Sequence, residues 1–289
     1  MGRVTTSFTL LYDMVRWEEK SIVDAAKKRS GHVEVNMVDA KDTPLEITAK
    51  SSGLPEGVVL QRCVSHYRNL HTTAALEGLG HRVVNNFRSA SISSDKVFCS
   101  IALARAGIPT PRTFLATTEE SALNALERLG YPAVVKPVVG SWGRLSALLK
   151  DPDFARAIIE DREYMYPMYQ VYYLQEFVKR PPRDIRSFVV GDKTVAAIYR
   201  ISASDWRTNT ARGGKAEKCP ITPEIDELSL KSARAVGGEI VGVDLMESST
   251  EGMVVHEVNN TTEFKNTVPA TGVDIPGLIV DYLVSLEKR

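Results

Sequence analysis

Short apolar segments alternate with helical stretches along the first ninety residues of the chain. Apolar runs of this length predict strands, and the longer amphipathic stretches predict helices. The expected strands lie at 8–12, 32–38, 57–62 and 81–85, and the expected helices at 17–28 and 67–78. Because strands separated by helices are typical of an open, mostly parallel sheet, we predict an N-terminal α/β domain over residues 1–90.

A second unit is predicted over residues 91–173. It begins with a helix at 94–106, for which Ser93 or Ser94 is the expected N-cap and Gly107 the stop. The elements expected after it are a strand at 114–116, a helix at 119–129, a strand at 133–137 and a loop at 140–144.

The last unit, residues 174–289, is dominated by two predicted hairpins. Strands at 185–190 and 194–202 flank Gly191-Asp192-Lys193, which suits a tight turn. The elements expected further along are a helix at 224–236, a hairpin from strands 240–246 and 253–259, and a closing helix at 279–286. The three units together indicate an α/β protein with α+β subdomains.

The composition is ordinary for a globular protein, with 43% hydrophobic and 25% charged residues among 289. Its 36 basic residues balance its 36 acidic ones, so bulk charge gives no reason to expect a nucleic-acid partner. The three cysteines form no CxxC pair and no disulfide framework, which is typical of intracellular proteins. Since no apolar window of 18 residues and no signal-peptide pattern is present, we expect a cytoplasmic protein without a membrane partner.

The strongest chemical signal lies in the second hairpin, VGVDLMESSTEGMVVHEVNN. Side chains alternate between the faces of a strand, so Glu257 and Asn259 share one face. If the turn is centred between residues 250 and 251, Asp244 lies opposite Glu257. Two carboxylates and an amide oxygen suit Mg²⁺, which prefers oxygen ligands. The alternative is a solvated face, but the neighbouring apolar residues predict burial, and a buried acidic group needs a partner.

A second signal is the segment VVKPVVGSWGR. Lys136 ends an apolar strand and can project its ammonium group into a cleft. Gly140, Ser141 and Gly143 can fold their backbone N–H groups around phosphate oxygens. The spacing is not that of a Walker A motif, and such a loop is by itself more often a turn. The preceding lysine and the downstream metal site favour phosphate binding.

Two arginines mark the first hairpin. Its expected register places Asp184, Arg186 and Arg200 on one face of the sheet. Arginines bind carboxylates and phosphates through paired hydrogen bonds and stabilise developing negative charge. The alternative is a solvated cross-strand pair between Asp184 and Arg200 on the protein surface.

Weaker signals lie around these motifs. The segment LQEFV at 174–178 joins two units and can offer backbone groups to an adenine edge, although a buried edge strand has the same pattern. We interpret the basic segment 179–183 as a solvated loop. The histidines of the first unit fit helix or core positions, and strand alternation turns His256 away from the metal face into the core.

Together these segments resemble an ATP-grasp ligase. Those that match, in the family's order, are Lys96, Lys136-Pro137, GSWGR, QEFV, DIRSFVVG, NTARGG, GVDL and EVN. They are similar to the branch that contains the ribosomal-protein S6 glutamate ligases. Within that branch, the segments that look like the LysX-type enzymes are RWEEK (16–20), WRTNTARGG (206–214) and NNTTEFKNTVPATGVDIPG (259–277). The resemblance covers essentially the whole chain.

The resemblance implies three subdomains, with ATP held between the central and the C-terminal one. The implied metal ligands, for two Mg²⁺ ions, are Asp244, Glu257 and Asn259. The implied catalytic residues, which would face the acyl phosphate and the substrates, are Arg186, Arg200 and Asn209. The implied nucleotide-binding residues are Lys96, Lys136, Gly140, Ser141, Trp142, Gly143, Arg144, Glu176, Phe177, Val178 and Asp184.

LysX-type enzymes join 2-aminoadipate, or glutamate in relatives, to a small acidic amino-group carrier protein. The implied reaction begins when the side chain of the carrier's C-terminal glutamate attacks the γ-phosphate of Mg-ATP. The amino acid's α-amine then displaces phosphate from the acyl phosphate, a scheme that needs mainly positioning and charge neutralisation. The residues expected at the amino-acid pocket are Asn260, Thr261, Lys265, Asn266, Thr271 and Gly272. The alternative for Glu263 and Lys265 is that they are surface charges.

The substrate has several interpretations. The run TGVDIPG at 271–277 looks more like the aminoadipate enzymes of lysine biosynthesis, so we expect 2-aminoadipate. Glutamate differs by one methylene, worth only about 1–3 kcal/mol in a pocket, so arginine biosynthesis or dual use stays open. A ligase for a ribosomal-protein tail would add several glutamates, and a nucleotide sensor would need neither the metal ligands nor the arginines. We expect a homo-oligomer, either a dimer or a tetramer.

Overall fold

Three β-sheets organise the computed structural model, which describes residues 6–29, 33–202, 205–208 and 214–287. Each sheet is built from one stretch of the chain, in the order of the three predicted units. None of the helices in these ranges is long and apolar enough to cross a lipid bilayer.

The first sheet is parallel throughout, as predicted. Its elements are β1 (Thr6–Tyr12), α1 (Trp17–Lys27), β2 (Val33–Asp39), β3 (Val58–Gln61), α2 (His66–Gly78), β4 (Arg82–Val84) and α3 (Phe87–Ser93). The strands lie in the order β2-β1-β3-β4, and each neighbouring pair is parallel. Ile22 and Ala26, four residues apart on α1, pack in one core with Phe8 and Leu60 of the sheet.

The second sheet is antiparallel. The elements of this region are α4 (Lys96–Arg105), β5 (Thr113–Ala116), α5 (Glu119–Leu129), β6 (Ala133–Lys136), β7 (Ala147–Leu149), α6 (Pro152–Glu163) and β8 (Tyr172–Glu176). The strands lie in the order β5-β8-β6-β7. The predicted boundary between residues 173 and 174 runs through β8, which hydrogen-bonds to β5 and β6. The division of the chain into residues 1–90, 91–173 and 174–289 stays a prediction.

The N-cap of α4 is Asp95 and not Ser93 or Ser94, so that prediction was wrong. The Asp95 carboxylate accepts hydrogen bonds from two backbone N–H groups of the first turn, at 2.8 and 3.2 Å. The hydroxyl groups of Ser93 and Ser94 instead donate to carbonyl groups four residues back, at 2.7 and 2.6 Å. Serine makes both kinds of bond, so its presence alone does not locate a helix start.

The third sheet is also antiparallel and contains both predicted hairpins. The elements of this region are β9 (Arg183–Val190), β10 (Lys193–Ile201), β11 (Lys215–Lys218), α7 (Pro223–Val236), β12 (Ile240–Ser248), β13 (Gly252–Asn259), α8 (Thr267–Thr271) and α9 (Ile275–Glu287). The strands lie in the order β11-β10-β9-β12-β13. The edge strand β11 escaped prediction because its sequence, KAEK, has no run of apolar residues.

The end of the chain packs against the first sheet. Ile279 and Leu283 of α9 are buried in the same core as Phe8 and Ile22. Phe188 of β9 belongs to this core as well, so one hydrophobic cluster connects the first and third sheets.

A buried ion pair joins the first sheet to the segment after β13. The Glu19 carboxylate accepts hydrogen bonds from Arg62 at 3.0 Å and from Arg16 at 2.8 Å. Arg62 also donates to the carbonyl group of Thr262 at 3.2 Å. Since a buried charge requires a partner, this pair fixes residues 260–263 relative to the first sheet.

We predict that Arg62→Leu lowers the free energy of unfolding by about 3–5 kcal/mol, because it removes one partner of a buried ion pair. Denaturation by guanidinium chloride measures the change. Arg82→Leu is the matched control: its side chain is 47% exposed where it pairs with Glu239, so the loss should stay below about 1 kcal/mol. Equal losses in the two variants would contradict the prediction.

Candidate active site

Three neighbouring strands place two arginines and two aspartates side by side. Asp244 of β12 pairs with Arg186 of β9, and Arg200 of β10 pairs with Asp184 of β9. The predicted pairing of Asp184 with Arg200 is confirmed, but the predicted turn Gly191-Asp192-Lys193 is wrong. Lys193 pairs with Val190, and a bulge between Thr194 and Ala196 restores the expected register. Because residues two apart on a strand share a face, all four side chains lie on one surface of the sheet.

The four side chains form one charged network. Arg186 binds the Asp244 carboxylate through Nε and Nη2, each at 2.7 Å. Arg200 donates to Asp184 at 2.6 and 2.8 Å, and its Nη2 lies 2.9 Å from Asp244 Oδ2. Thr208 also donates to Asp184. The Asp184–Arg200 pair that we considered as a surface alternative is thus present but buried, with 4% and 3% of the two residues exposed.

Burial and pairing together set the charges of this network. Burial raises the pKa of Asp244, but the guanidinium groups of Arg186 and Arg200 outweigh that effect and hold this pKa well below its usual range. Burial lowers the pKa of Arg200, but the carboxylates of Asp244 and Asp184 raise it by more, so this pKa lies above its usual value. Asp184, Arg200 and Asp244 are therefore buried among mutual partners, while Arg186 is half-buried at the edge of the network.

Asp244 and Glu257 lie opposite each other in the β12–β13 hairpin, as predicted, but the position of the turn and the pairing that follows it differ from the prediction. Ser248 pairs with Gly252, so the turn is centred on Thr250 and not between residues 250 and 251. A bulge between Asp244 and the next residue of β12 then shifts the register by one position.

The bulge overturns the prediction for His256. Leu245 pairs with Val255 and Asp244 with Glu257, so His256 is the extra residue on β13. Its imidazole Nε2 contacts Nζ of Lys136. His256 is therefore a cleft residue, because strict alternation of faces fails where a strand carries a bulge.

Three cavities meet at Arg200, which lines all of them. The main cavity, about 410 Å³, is lined by Lys96, Ser141, Glu257, Asn259, Asn260 and Thr261 among others. The hinge cavity, about 90 Å³, is lined by Lys136, Phe177, Val178, Asp244 and His256 among others. The side cavity, about 260 Å³, is lined by Arg16, Arg186, Lys265 and Asn266 among others. Arg200 therefore borders all three cavities.

The predicted phosphate loop, residues 140–144, borders both the main and the hinge cavity. Lys96 holds it from α4, since its Nζ donates to the carbonyl group of Gly140 at 2.8 Å. Trp142 has a φ of 60°, in the left-handed region that residues other than glycine rarely adopt. The Arg144 guanidinium lies 4.8 Å from the Trp142 ring centroid. The loop thus has a defined and locally strained conformation beside both cavities.

Lys136 and the predicted adenine segment line the hinge cavity. Lys136 Nζ donates to Gln175 Oε1 at 2.6 Å, and burial lowers the pKa of this lysine to about 7. Glu176 makes two hydrogen bonds with Arg112. Its carboxylate accepts the backbone N–H of Arg112 at 2.7 Å, and its backbone N–H donates to the Arg112 carbonyl group at 3.0 Å. The two residues after Glu176 are therefore better placed to contact a ligand than Glu176 itself.

Asp244, Glu257 and Asn259 offer oxygen atoms that suit a magnesium ion. Asp244 Oδ1 accepts an N–H group from Arg186 only and keeps a second lone pair, whereas Oδ2 contacts both Arg186 and Arg200. Asn259 Nδ2 lies 3.4 Å from Glu257 Oε1, so these two side chains are neighbours. Within the described ranges, no three His, Cys, Asp or Glu side chains gather closely enough to bind a metal. The donor set fits Mg²⁺ when the amide oxygen of Asn259 supplies the third ligand.

The predicted substrate residues separate into different places. Asn260 and Thr261 line the main cavity. Asn260 donates a hydrogen bond to Asn69 Oδ1 at 3.3 Å, and Asn69 Nδ2 donates to Thr261 Oγ1 at 3.2 Å. Lys265 and Asn266 line the side cavity. The structure therefore brings these two pairs to different cavities, both of which are also lined by Arg186 and Arg200.

Thr271 and Gly272 line none of the three cavities. Thr271 Oγ1 donates to the carbonyl group of Thr267 at 2.8 Å, and Gly272 ends α8 with a φ of 72°. Both residues shape the end of a short helix. The predicted catalytic residue Asn209 lies outside the described residues.

Several cleft residues were not among the predicted site residues. Arg16 lines the main and side cavities, and only its place in the RWEEK segment pointed to it. Arg207 donates to the Gly143 carbonyl at 3.4 Å. Arg180, which we had interpreted as solvated, is half-buried, lines the hinge cavity and donates to the Trp206 carbonyl at 3.0 Å. The fold brings these side chains to the site from separate loops.

Two family models match the chain. A LysX preATP-grasp domain matches residues 8–92, and a RimK-like ATP-grasp domain matches residues 93–283. The chain belongs to the RimK-like ATP-grasp ligases. The predicted ATP-grasp fold is confirmed, and the enzyme is an ATP-dependent carboxylate–amine ligase.

Named relatives span nearly the whole ligase. It is 39% identical over 277 residues to the alpha-aminoadipate–LysW ligase LysX of Saccharolobus solfataricus, covering 96% of this chain and 100% of that one. It is 34% identical over 276 residues to the glutamate–LysW ligase ArgX of Sulfolobus acidocaldarius, covering 95% and 96%.

Solved structures show the same fold. A RimK domain ATP-grasp protein of Sphaerobacter thermophilus has a TM-score of 0.77 at 26% identity and covers 96% of the ligase and 100% of its own chain. The ATP-grasp ligase PsnB, solved with minimal precursor, Mg and ADP, has a TM-score of 0.75 at 20% identity, with coverages of 99% and 98%.

We predict that Glu257→Gln lowers the ligation rate about 100-fold or more, because it removes a charge that we assign to metal binding at the reacting phosphate. Steady-state kinetics across a magnesium titration measure the effect, and high magnesium should restore part of the rate. Glu251→Gln, in the exposed turn of the same hairpin, is the control and should retain the wild-type rate. Full activity in Glu257→Gln would show that the metal assignment is wrong.

The lowered pKa of Asp244 predicts how stability depends on pH. A carboxylate whose folded pKa is depressed stabilises the fold fully above its unfolded pKa of about 4 and loses that effect as pH falls through the folded value. The difference in unfolding free energy between the wild type and Asp244→Asn should therefore be constant between about pH 7 and pH 5 and shrink below about pH 4. A difference that already shrinks between about pH 7 and pH 5 would contradict the depressed pKa.

Proposed function

We propose that this ligase joins the α-amine of 2-aminoadipate to the side-chain carboxylate of the C-terminal glutamate of a small acidic carrier protein, in lysine biosynthesis. The observation that supports the substrate is the 39% identity to an alpha-aminoadipate–LysW ligase over 96% of the chain. The observation that supports the chemistry is the junction of three cavities at Arg200, since this reaction has three reactants.

Glutamate is the second candidate for the amino acid, alone or beside 2-aminoadipate. The 34% identity to a glutamate–LysW ligase ArgX over 95% of the chain favours it. This alternative would place the enzyme in arginine biosynthesis with the same catalytic residues.

Each reactant has a cavity whose chemistry suits it. The hinge cavity would hold the adenine of ATP, with Phe177 and Val178 at its edge and Lys136 toward the phosphates. The side cavity would hold the free amino acid, because Lys265 offers positive charge and Asn266 offers an amide. Arg16 also lines this cavity but is already paired with Glu19 and Glu263, so it would contact a ligand only by exchanging one of these partners.

The carrier's terminal glutamate would then enter the main cavity, which is the largest of the three. It would pass Asn260 and Thr261 and reach the junction beside Glu257 and Asn259. Carrier carboxylate and amino-acid amine would thus approach Arg186 and Arg200 from different sides, which is the orientation an amine needs to displace phosphate.

The charged network would stabilise the acyl phosphate. Arg186 and Arg200 are held in place by Asp244 and Asp184, so their positive charges need little rearrangement as negative charge develops. Lys96, Lys136 and the loop at 140–144 would bind the nucleotide phosphates. Asp244, Glu257 and Asn259 would hold two Mg²⁺ ions, which neutralise phosphate charge during transfer. A dimeric or tetrameric assembly stays a prediction.

We predict that incubation with ATP, Mg²⁺ and 2-aminoadipate adds one aminoadipate to the carrier, and that addition then stops. The kcat/KM for 2-aminoadipate should exceed that for glutamate by about 10–200-fold, the range that one methylene provides. Intact-protein mass spectrometry detects the adduct and counts the residues added.

A carrier without its C-terminal glutamate is the control and should gain no mass. No mass gain with either amino acid would reject the proposal, and successive glutamate additions would favour a ligase for a protein tail.

A further inference from the structure

The bulge in the β12–β13 hairpin places an imidazole where a regular hairpin would have none. In an unbroken register, residue 256 would face the opposite side of the sheet from Glu257. The extra residue instead lets His256 line the hinge cavity together with Asp244 and Glu257. His256 is half-buried.

His256 and Gln175 both contact the amine of Lys136. Lys136 Nζ donates to Gln175 Oε1 at 2.6 Å on one side and contacts His256 Nε2 on the other. The ring centroid of Tyr173 lies 5.7 Å away and covers a third side. These groups come from β8 and β13, so the second and third sheets both restrict the position of the lysine on β6.

An ammonium group at this place depends on such partners. Lys136 is only 7% exposed, so most of its hydration is lost and burial disfavours its charged form. A hydrogen-bond acceptor stabilises the ammonium, and a charged donor makes this bond stronger than one between neutral groups. An ammonium has only donors, so a charged Lys136 requires Nε2 of His256 as the acceptor and places the imidazole proton on Nδ1.

We propose that His256 is a positioning residue which, with Gln175, fixes the Lys136 amine at the edge of the hinge cavity and directs it at the nucleotide phosphates. The inference rests on the proposed function in one respect, namely that Lys136 contacts ATP. It does not depend on the identity of the amino acid or the carrier. Loss of the imidazole acceptor therefore weakens nucleotide binding while leaving the binding of the other two substrates intact.

The direct test measures nucleotide affinity without carrier or amino acid, by calorimetric titration with Mg-ADP. His256→Leu removes the acceptor and is expected to weaken binding about tenfold, as for loss of a hydrogen bond to a charged group. His256→Gln returns an acceptor near the Nε2 position and should bind within about threefold of the wild type. In steady-state assays, the KM for ATP should rise in His256→Leu and the KM for the amino acid should not change. His71→Leu, at an exposed position of α2, is the control for the loss of an imidazole.

Unchanged affinity in His256→Leu, or equal weakening in the Leu and Gln variants, would overturn the proposal, because a purely structural role does not distinguish between acceptors. If His256→Leu does not fold, nitrogen-15 NMR of the wild type decides the matter. The proposal expects the neutral tautomer with its proton on Nδ1, and a proton on Nε2 would refute it. Failure of carrier ligation with normal Mg-ADP binding would instead count against the proposed function alone.

Discussion

The charge balance around Asp244 is the constraint on which the rest of the site depends. Its carboxylate lies between Arg186 and Arg200, and Asp184 holds the far side of Arg200. None of these groups is stable in a buried place without its partners, since an unpaired buried charge is far more costly than a paired one. The three strands that carry them must therefore keep one register. The same register places Glu257 and Asn259 on the adjacent strand.

The surrounding fold brings separate parts of the chain to this centre. Arg62 of the first sheet binds the carbonyl group of Thr262, and the Thr262 side chain in turn packs against Gly242 of β12. A Cβ atom at Gly242 would lie 2.6 Å from Thr262 Cγ2, so only glycine permits this approach. The segment after β13 is thus held by both the first and third sheets. That arrangement explains why the main and side cavities share residues from distant parts of the sequence.

Strand patterns in the sequence predicted most of the fold and the central part of the site. The pairing of Asp184 with Arg200 was predicted correctly, although Lys193 belongs to β10 and not to the turn, and a bulge after Thr194 restores the pairing. The prediction that Asp244 faces Glu257 was also confirmed, although it assumed an unbroken hairpin and a turn centred half a residue away. A compensating bulge preserved that pairing, which no alternation rule could foresee.

The failures have physical causes that local sequence does not contain. His256 was assigned to the core because alternation was extended through the bulge, and only the three-dimensional pairing shows its contact with Lys136. Asp95, and not a neighbouring serine, caps the helix. The sequence could not decide between them because all three side chains can accept the required hydrogen bond. The resemblance placed Lys265 and Asn266 at the same pocket as Asn260, whereas they line the side cavity and Asn260 lines the main cavity. Their contact with substrate stays a prediction.

The central claim is that strands β12 and β13 jointly hold a divalent ion beside the two arginines. Anomalous diffraction from crystals grown with Mn²⁺ and ADP tests it most directly, since manganese replaces magnesium at oxygen sites and can be located without assumptions about ligands. We expect manganese peaks within coordination distance, about 2.0–2.3 Å, of oxygen atoms of Asp244, Glu257 and Asn259. Manganese bound to nucleotide phosphates but contacting none of these three side chains would contradict the account.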